Sequence, residues 1–125
     1  MEARDPLTAE VIAAAIEVHR EMGPGLLESV YQKCMEYELQ LRGIECEPQA
    51  RLPLVYKGFR LDADDMVMDL YFPGKLVVEL KAVEKMVPIY EAQVITYLHL
   101  SKTRTGLLIN FNVRLLKEGL KRMVL

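Results

Sequence analysis

The chain has 125 residues, of which 51% are hydrophobic and 27% charged, and its formal net charge is −2. This length suits one compact domain, and the balance of apolar and charged residues excludes a disordered chain. The small negative charge excludes a general attraction to polyanions, so any nucleic-acid contact must come from a local patch. We therefore predict a single domain over residues 1–125.

The amino terminus and the cysteines carry no targeting or redox signal. Residues 1–6 lack the apolar stretch of a signal peptide, and no window approaches the roughly 18 apolar residues that a membrane span requires. Cys34 and Cys46 form no CxxC pair and have no nearby histidine, so we expect packing roles rather than a zinc site or a disulfide. A cytoplasmic protein without a membrane partner is expected.

The amino-terminal third shows helical periodicity. Asp5-Pro6 forms an N-cap and first-turn pair, and the apolar residues that follow at helical spacing predict a helix over residues 6–22. Gly23-Pro24-Gly25 interrupts this pattern, because proline disfavours a helical residue before it and glycine favours a helix end. The helical pattern resumes over residues 26–42, so two helices joined at a bend are expected.

Beyond Gly43 the apolar residues alternate with a period of two. Prolines interrupt the first such stretch, over residues 44–56, which is typical of an edge or bulged strand. Two further strands, over residues 66–72 and 75–82, are predicted to meet across the turn signal Pro73-Gly74. These strands form the central hairpin of the predicted sheet.

The remaining elements complete an α/β fold. They are a helix over residues 88–100, a short apolar strand over residues 106–111, and a tail over residues 115–125 that forms a turn of helix and a last strand. The predicted fold class is α/β, with a central mixed β-sheet flanked by helices in the order αβββαβ.

Charged residues interrupt both strands of the central hairpin. The even positions of residues 66–72 are apolar, so Asp69 lies on the opposite face; Glu79 and Lys81 likewise lie opposite Leu80. A strict two-residue turn would pair residue 69 with residue 78 and separate the two carboxylates. A three-residue loop or a bulge pairs Asp69 with Glu79. We predict an irregular turn and one shared polar face.

Two interpretations fit this polar face. Two carboxylates and a lysine on a half-buried face are costly unless something compensates, and Mg²⁺ commonly takes one or two carboxylates together with waters and phosphate oxygens. Such a cation activates water, and Lys81 would then orient that water or stabilise charge on a phosphate. An internal ion pair between lysine and aspartate on a covered strand explains the same residues. The residues alone leave both interpretations open.

The spacing of these residues resembles a known motif. Asp69, followed after nine residues by Glu79-Leu80-Lys81, is similar to the core of the PD-(D/E)XK nuclease superfamily. Further segments, in the same order, resemble the small bacterial GxxExxY proteins over about residues 6–125. These segments are Gly25-Leu26-Leu27-Glu28-Ser29-Val30-Tyr31, Tyr56-Lys57-Gly58, Val78-Glu79-Leu80-Lys81-Ala82-Val83, Glu91-Ala92-Gln93, Tyr97-Leu98 and Gly106-Leu107-Leu108-Ile109-Asn110-Phe111.

The resemblance implies a restriction-endonuclease-like core and a divalent-metal-dependent nuclease that acts on DNA or RNA with Mg²⁺ or Mn²⁺. It implies metal-ligand roles for Asp69 and Glu79 and a catalytic role for Lys81. Members of the family often carry a Tyr-Arg pair just before the metal aspartate, where this chain has Met66-Val67. A phosphate contact made by that arginine is therefore missing here.

Three more site residues follow from the resemblance. In related nucleases a glutamate of the first helix assists the metal, which implies this role for Glu28; its position near a helix start suits a capping role equally well. Tyr31 follows one turn later, so both side chains can face the sheet. Gln93 and Tyr97, four residues apart on one helical face, resemble the QxxxY motif of RecB-type exonucleases, where the pair lines the site.

Two other classes of function remain open. One is a catalytically silent module of the same fold that binds nucleic acid or a protein partner, and the other is a structural homodimer built on the apolar helices. A homodimer is also compatible with the nuclease, because two copies of so small a site are needed to cut both strands of a duplex. The absence of a glycine-rich phosphate loop argues against an NTPase.

The remaining polar residues are assigned to structure or surface. Asp62, Asp64 and Asp65 lack the spacing of a calcium loop and are predicted to form a solvated turn. His19 and His99 have no catalytic partner at motif spacing, so core and surface roles are expected. The last quarter is locally basic and either forms a solvated surface or guides a phosphate backbone. Its cations are Lys102, Arg104, Arg114, Lys117, Lys121 and Arg122.

Overall fold

The computed structural model describes residues 5–61 and 65–125. The helices are α1 (Pro6–Met22), α2 (Glu28–Leu41) and α3 (Pro88–Ser101), and a short 3₁₀ turn covers Leu116–Gly119. The strands are β1 (Glu47–Leu52), β2 (Val55–Tyr56), β3 (Phe59–Arg60), β4 (Met66–Phe72), β5 (Leu76–Lys81), β6 (Thr105–Asn110) and β7 (Leu120–Val124).

The first helix has the bounds that the sequence predicts, because both of its ends carry local signals. The Leu7 backbone N–H donates a hydrogen bond of 3.1 Å to Asp5 Oδ1, and the Thr8 hydroxyl donates one of 3.0 Å to Asp5 Oδ2. These contacts satisfy donors at the start of α1. At the other end Gly23 adopts a φ of +71°, a conformation that favours glycine and ends the helix.

The bend between α1 and α2 is held by Tyr31. Its hydroxyl donates a hydrogen bond of 2.5 Å to the Gly23 carbonyl and accepts one of 3.2 Å from the Leu26 N–H. The buried ring stacks on Phe111 with a centroid distance of 4.5 Å. The tyrosine of the Gly25–Tyr31 segment is therefore a structural residue that closes the bend.

Five strands form the central sheet in the order β1-β4-β5-β6-β7, and β4 pairs antiparallel with both β1 and β5. The sheet is mostly antiparallel and helices flank it. Every residue of β5 from Leu76 to Leu80 is buried, as expected for a strand covered on both faces. The predicted α/β class with a restriction-endonuclease-like core is confirmed.

The segment predicted as one interrupted edge strand is divided in two. Pro53 cannot donate to a ladder, and β1 ends just before it. Strands β2 and β3 then form a separate hairpin, whose turn at Lys57-Gly58 has φ values of +49° and +80°. Positive φ at both turn residues matches the twist of a tight hairpin.

Contacts divide the chain into two compact units. The first comprises Met1–Glu45, Leu80–Met86 and Ile109–Lys121, and the second comprises Cys46–Glu79, Val87–Leu108 and Arg122–Leu125. Within the described residues, no helix is both long enough and apolar enough to cross a membrane.

In the first unit, Asn110 holds the chain that follows β5. Its Oδ1 accepts hydrogen bonds of 3.0 Å from the Val83 N–H and 3.1 Å from the Asn112 N–H, and its Nδ2 donates one of 3.0 Å to the Val83 carbonyl. The adjacent Phe111 N–H donates to the Lys81 carbonyl at 2.9 Å. The side-chain amide thus pairs with Val83 as a neighbouring strand would.

Replacement of Asn110 by Asp is expected to destabilise the protein by about 3 kcal/mol, because the new oxygen cannot donate to the Val83 carbonyl and a charge is placed in a buried position. Asn110 is only 2% exposed. Denaturant unfolding measures the change, and Asn112→Asp, at a half-buried neighbour, is the control. Equal stability of Asn110→Asp and the wild type would show that the amide is not needed.

Candidate active site

The turn between β4 and β5 sets the register of the candidate site. Three residues, 73–75, separate the closing pair Phe72 and Leu76, and the Lys75 N–H donates a hydrogen bond of 2.8 Å to the Phe72 carbonyl. Leu70 pairs with Val78, and the same register continued by one residue sets Asp69 opposite Glu79. The predicted irregular turn and the pairing of the two acidic residues are confirmed.

A hydrogen bond joins the two acidic residues. The Asp69 backbone N–H donates to Glu79 Oε1 at 2.9 Å. The Glu79 carboxylate therefore acts where a strand partner would normally supply a backbone carbonyl. Glu79 is only 6% exposed and Asp69 is half-buried, so two acidic side chains lie together on a mostly covered face. Such a pair needs a compensating partner.

Gln49 is a residue of this site that sequence reasoning missed. Its Nε2 donates a hydrogen bond of 3.0 Å to Asp69 Oδ1. Gln49 lies opposite Asp69 because of the register between β1 and β4. In this register Pro48 pairs with Leu70, and Ala50 pairs with Met68. The alternation within the β1 segment shows which residues share a face, but the register against a distant strand has no signal in the sequence.

The charges of both acidic residues act on Tyr97 of α3. It is 7% exposed, and its pKa is raised from 10.0 to about 12 by burial first, then by the charge of Glu79 and then by that of Asp69. Like any phenol, Tyr97 is protonated at neutral pH and can donate a hydrogen bond, and the shift keeps it protonated at more alkaline pH than usual. Asp69, Glu79 and Tyr97 all belong to the second unit, where a hydrogen bond joins Asp69 and Glu79, and Gln93 lies half-buried one turn before Tyr97 on the same helix.

The titration of Tyr97 gives a direct check on this geometry. At pH 11 an ordinary phenol is about 90% ionised, whereas one with a pKa of about 12 is about 10% ionised. The difference in tyrosinate absorbance between wild type and Tyr97→Phe reports this group. In Glu79→Gln the pKa of Tyr97 should fall but stay above 10.0, because burial is the larger cause.

The raised pKa of Tyr97 also has a defined effect on stability. A group whose folded pKa lies above its unfolded pKa stabilises the fold below the unfolded value, and this contribution is lost as the pH rises from 10.0 to about 12. Wild type should therefore lose stability relative to Tyr97→Phe across this window in alkaline denaturant unfolding. Parallel curves would contradict the raised pKa of Tyr97 in the folded protein.

Two sequence-predicted residues belong to the first unit. Lys81 is the last residue of β5, is half-buried, and is held through its carbonyl by the Phe111 N–H at 2.9 Å. Glu28 is the first residue of α2 and is exposed, unlike the buried Tyr31 one turn later. Tyr31 is buried and stacks on Phe111, whereas Glu28 does not share this burial. An acidic residue in the first turn also suits the helix dipole.

The donor chemistry of the acidic pair fits a hard divalent cation. Among residues 5–61 and 65–125 there is no group of three or more His, Cys, Asp and Glu side chains that could hold a metal ion. Mg²⁺ does not require such a group, because it usually keeps several waters and binds one or two carboxylates together with substrate phosphates. Asp69 and Glu79 supply carboxylates of this kind.

Asp65 and His19, two other polar candidates, make contacts that suit structural roles. Asp62 and Asp64 lie outside the described residues, and Asp65 Oδ2 lies 3.9 Å from Arg51 Nη1 and 3.8 Å from Arg60 Nη2. His19 is a core residue as predicted, with Nε2 2.7 Å from the Val113 carbonyl. The basic residues of the last quarter are exposed except for the half-buried Arg122.

Comparison with known families agrees with this geometry. A profile of the PD-(D/E)XK nuclease superfamily matches residues 5–123. The chain therefore belongs to the PD-(D/E)XK nuclease superfamily, and this membership supports a nuclease-type function at the level of the superfamily. No curated protein and no solved structure matches the chain.

Proposed function

We propose that this protein is a divalent-metal-dependent nuclease that hydrolyses phosphodiester bonds in DNA or RNA, and that it is one of the GxxExxY proteins. The observation that carries the proposal is the register of β4 and β5 that sets Asp69 opposite Glu79, with the hydrogen bond that joins the two residues. Superfamily membership adds an independent reason to expect a nucleic-acid substrate.

The acidic pair would hold Mg²⁺ or Mn²⁺ through carboxylate oxygens. When bound, such a cation supplies a Lewis acid for the phosphate and lowers the pKa of a water that attacks it. Glu79 is the more deeply buried of the two residues, and the hydrogen bond from the Asp69 N–H fixes its Oε1. The pair therefore offers fixed oxygen ligands, and substrate phosphate and water complete the coordination.

Lys81 would act on the attacking water or on the reacting phosphate. It follows Glu79 by two residues in β5, and side chains two apart on a strand lie on the same face. The Phe111 N–H and the Asn110 side chain fix the backbone here, so the lysine is anchored at its base. Its ammonium group would orient the water or stabilise charge that develops on the phosphate.

Three further residues are proposed to complete the site. Tyr97 stays protonated and would donate a hydrogen bond to a phosphate oxygen or to water, and Gln93, one turn earlier, would line the same helix face. Glu28 would assist the metal directly or through a water. Its side chain, at the start of α2, is exposed to solvent.

The proposal is tested by cleavage of labelled single- and double-stranded DNA and RNA in Mg²⁺, Mn²⁺ or EDTA. Cutting of at least one substrate in the presence of metal, and none in EDTA, is expected. A protein that binds these nucleic acids without cutting them would instead be a silent module of the same fold. Val67 gives that alternative a specific basis, because it stands where related proteins often carry an arginine.

A further inference from the structure

Gln49 has an unusual backbone conformation for its place in the fold. Three non-glycine residues in the described part of the chain have positive φ: Gln49 at +49°, Lys57 at +49° and Lys102 at +57°. Lys57 lies in the tight turn between β2 and β3, and Lys102 is the C-cap of α3, two places where a left-handed residue is common. Gln49 lies in the middle of β1 and has no such reason.

The residues of β1 before and after Gln49 pair regularly with β4. Pro48 pairs with Leu70 and Ala50 with Met68, so the register is unbroken across Gln49 and no extra residue is accommodated there. The distortion is therefore not a bulge that changes the register. A left-handed conformation is unfavourable for a residue with a side chain, so something else must compensate for it.

The compensation is not core packing, because Gln49 is exposed. The contact it makes is a hydrogen bond of 3.0 Å from Nε2 to Asp69 Oδ1. Residues held in rare backbone conformations are concentrated at active sites, where surrounding structure maintains the strain. Strain at Gln49 and a hydrogen bond to a carboxylate of the acidic pair thus occur in the same residue.

We infer that Gln49 is a positioning residue, whose strained backbone directs its side-chain amide to hold the Asp69 carboxylate in the orientation that binds a divalent cation. This inference rests on the proposed function. Hydrogen bonds to metal ligands fix ligand orientation, and their loss typically lowers metal affinity or activity by about 10- to 100-fold. The same loss is expected when the Gln49 amide is removed.

The test measures Mn²⁺ affinity by calorimetry and thermal unfolding without metal, in wild type, Gln49→Gly and Gln49→Asn. Glycine accepts the left-handed backbone but has no amide, and asparagine tolerates it but is one methylene too short. We expect about a 10- to 100-fold weaker Mn²⁺ affinity in both variants. Lys57→Gly is the matched control, because it has the same φ of +49° and lies in a hairpin turn.

The results separate the two roles and the two proposals. In the control, unchanged Mn²⁺ affinity is expected. If Gln49→Gly and Gln49→Asn bind Mn²⁺ as tightly as wild type while Asp69→Asn does not bind, Gln49 is only structural and the inference is overturned, but the metal site stands. If wild type itself binds no Mn²⁺, the proposed function and this inference both fail. A fold that is lost in Gln49→Gly leaves Gln49→Asn to decide.

Discussion

Lys81→Ala is expected to lower phosphodiester cleavage by about 10²- to 10⁴-fold, the usual contribution of a positioned proton-transfer or charge-stabilising group. The lysine follows Glu79 by two residues and should share its face of β5. Its ammonium group is proposed to act on the attacking water or the reacting phosphate and not to hold the cation. Metal binding by the variant should therefore remain close to that of wild type.

The matched control for this variant is Lys75→Ala. Lys75 belongs to the three-residue loop of the same hairpin and is exposed, so its removal changes the charge of the protein by the same amount. Single-turnover cleavage at saturating metal separates the two variants. Wild-type rates in Lys81→Ala, or equal losses in both variants, would show that Lys81 has no specific role in the reaction.

Glu79→Gln is expected to abolish stabilisation of the protein by a divalent cation. A ligand that binds only the folded state stabilises it by about 2.7 kcal/mol when its concentration is 100 times the dissociation constant. The amide side chain keeps the size of glutamate and can still accept the hydrogen bond from the Asp69 N–H, which is 2.9 Å in the wild type. It lacks the charge that binds the cation.

Thermal unfolding with and without Mg²⁺ or Mn²⁺ measures this effect. Wild type should unfold at a higher temperature when metal is added, and Glu79→Gln should not respond at the same concentration. Glu10→Gln, at an exposed position of α1, is the control and should respond as wild type does. A full metal response in Glu79→Gln would show that the cation binds elsewhere.

The parts of the fold that could be predicted from sequence are those with local signals. The N-cap at Asp5 and the glycine at position 23 define α1, and alternation defines β4 and β5. The hairpin register was predicted by requiring Asp69 and Glu79 to share a face, and the three-residue loop agrees with that requirement. Local periodicity and one chemical constraint were therefore enough for the register of the acidic pair.

The parts that could not be predicted depend on contacts between distant segments. Gln49 meets Asp69 through the register of β1 against β4. The register of β1 against β4 has no local sequence signal. Tyr97 was named by the resemblance of its motif, but its burial and the effect of the two carboxylates on its pKa were not predicted. Glu28 and Tyr31 also differ in their burial. Tyr31 is buried at the bend and Glu28 is exposed, a distinction that helical spacing alone does not make.

The most direct test of the central claim is cleavage by the metal-stripped wild-type protein before and after Mg²⁺ is returned, with Lys81→Ala purified identically to exclude a contaminating nuclease. If Asp69 and Glu79 are metal ligands of a nuclease, the wild type should not cut after its metal is removed and should cut again when Mg²⁺ is restored. Lys81→Ala should cut little or not at all under the same conditions. Cutting that persists without metal, or that is equal in the two proteins, would contradict this claim.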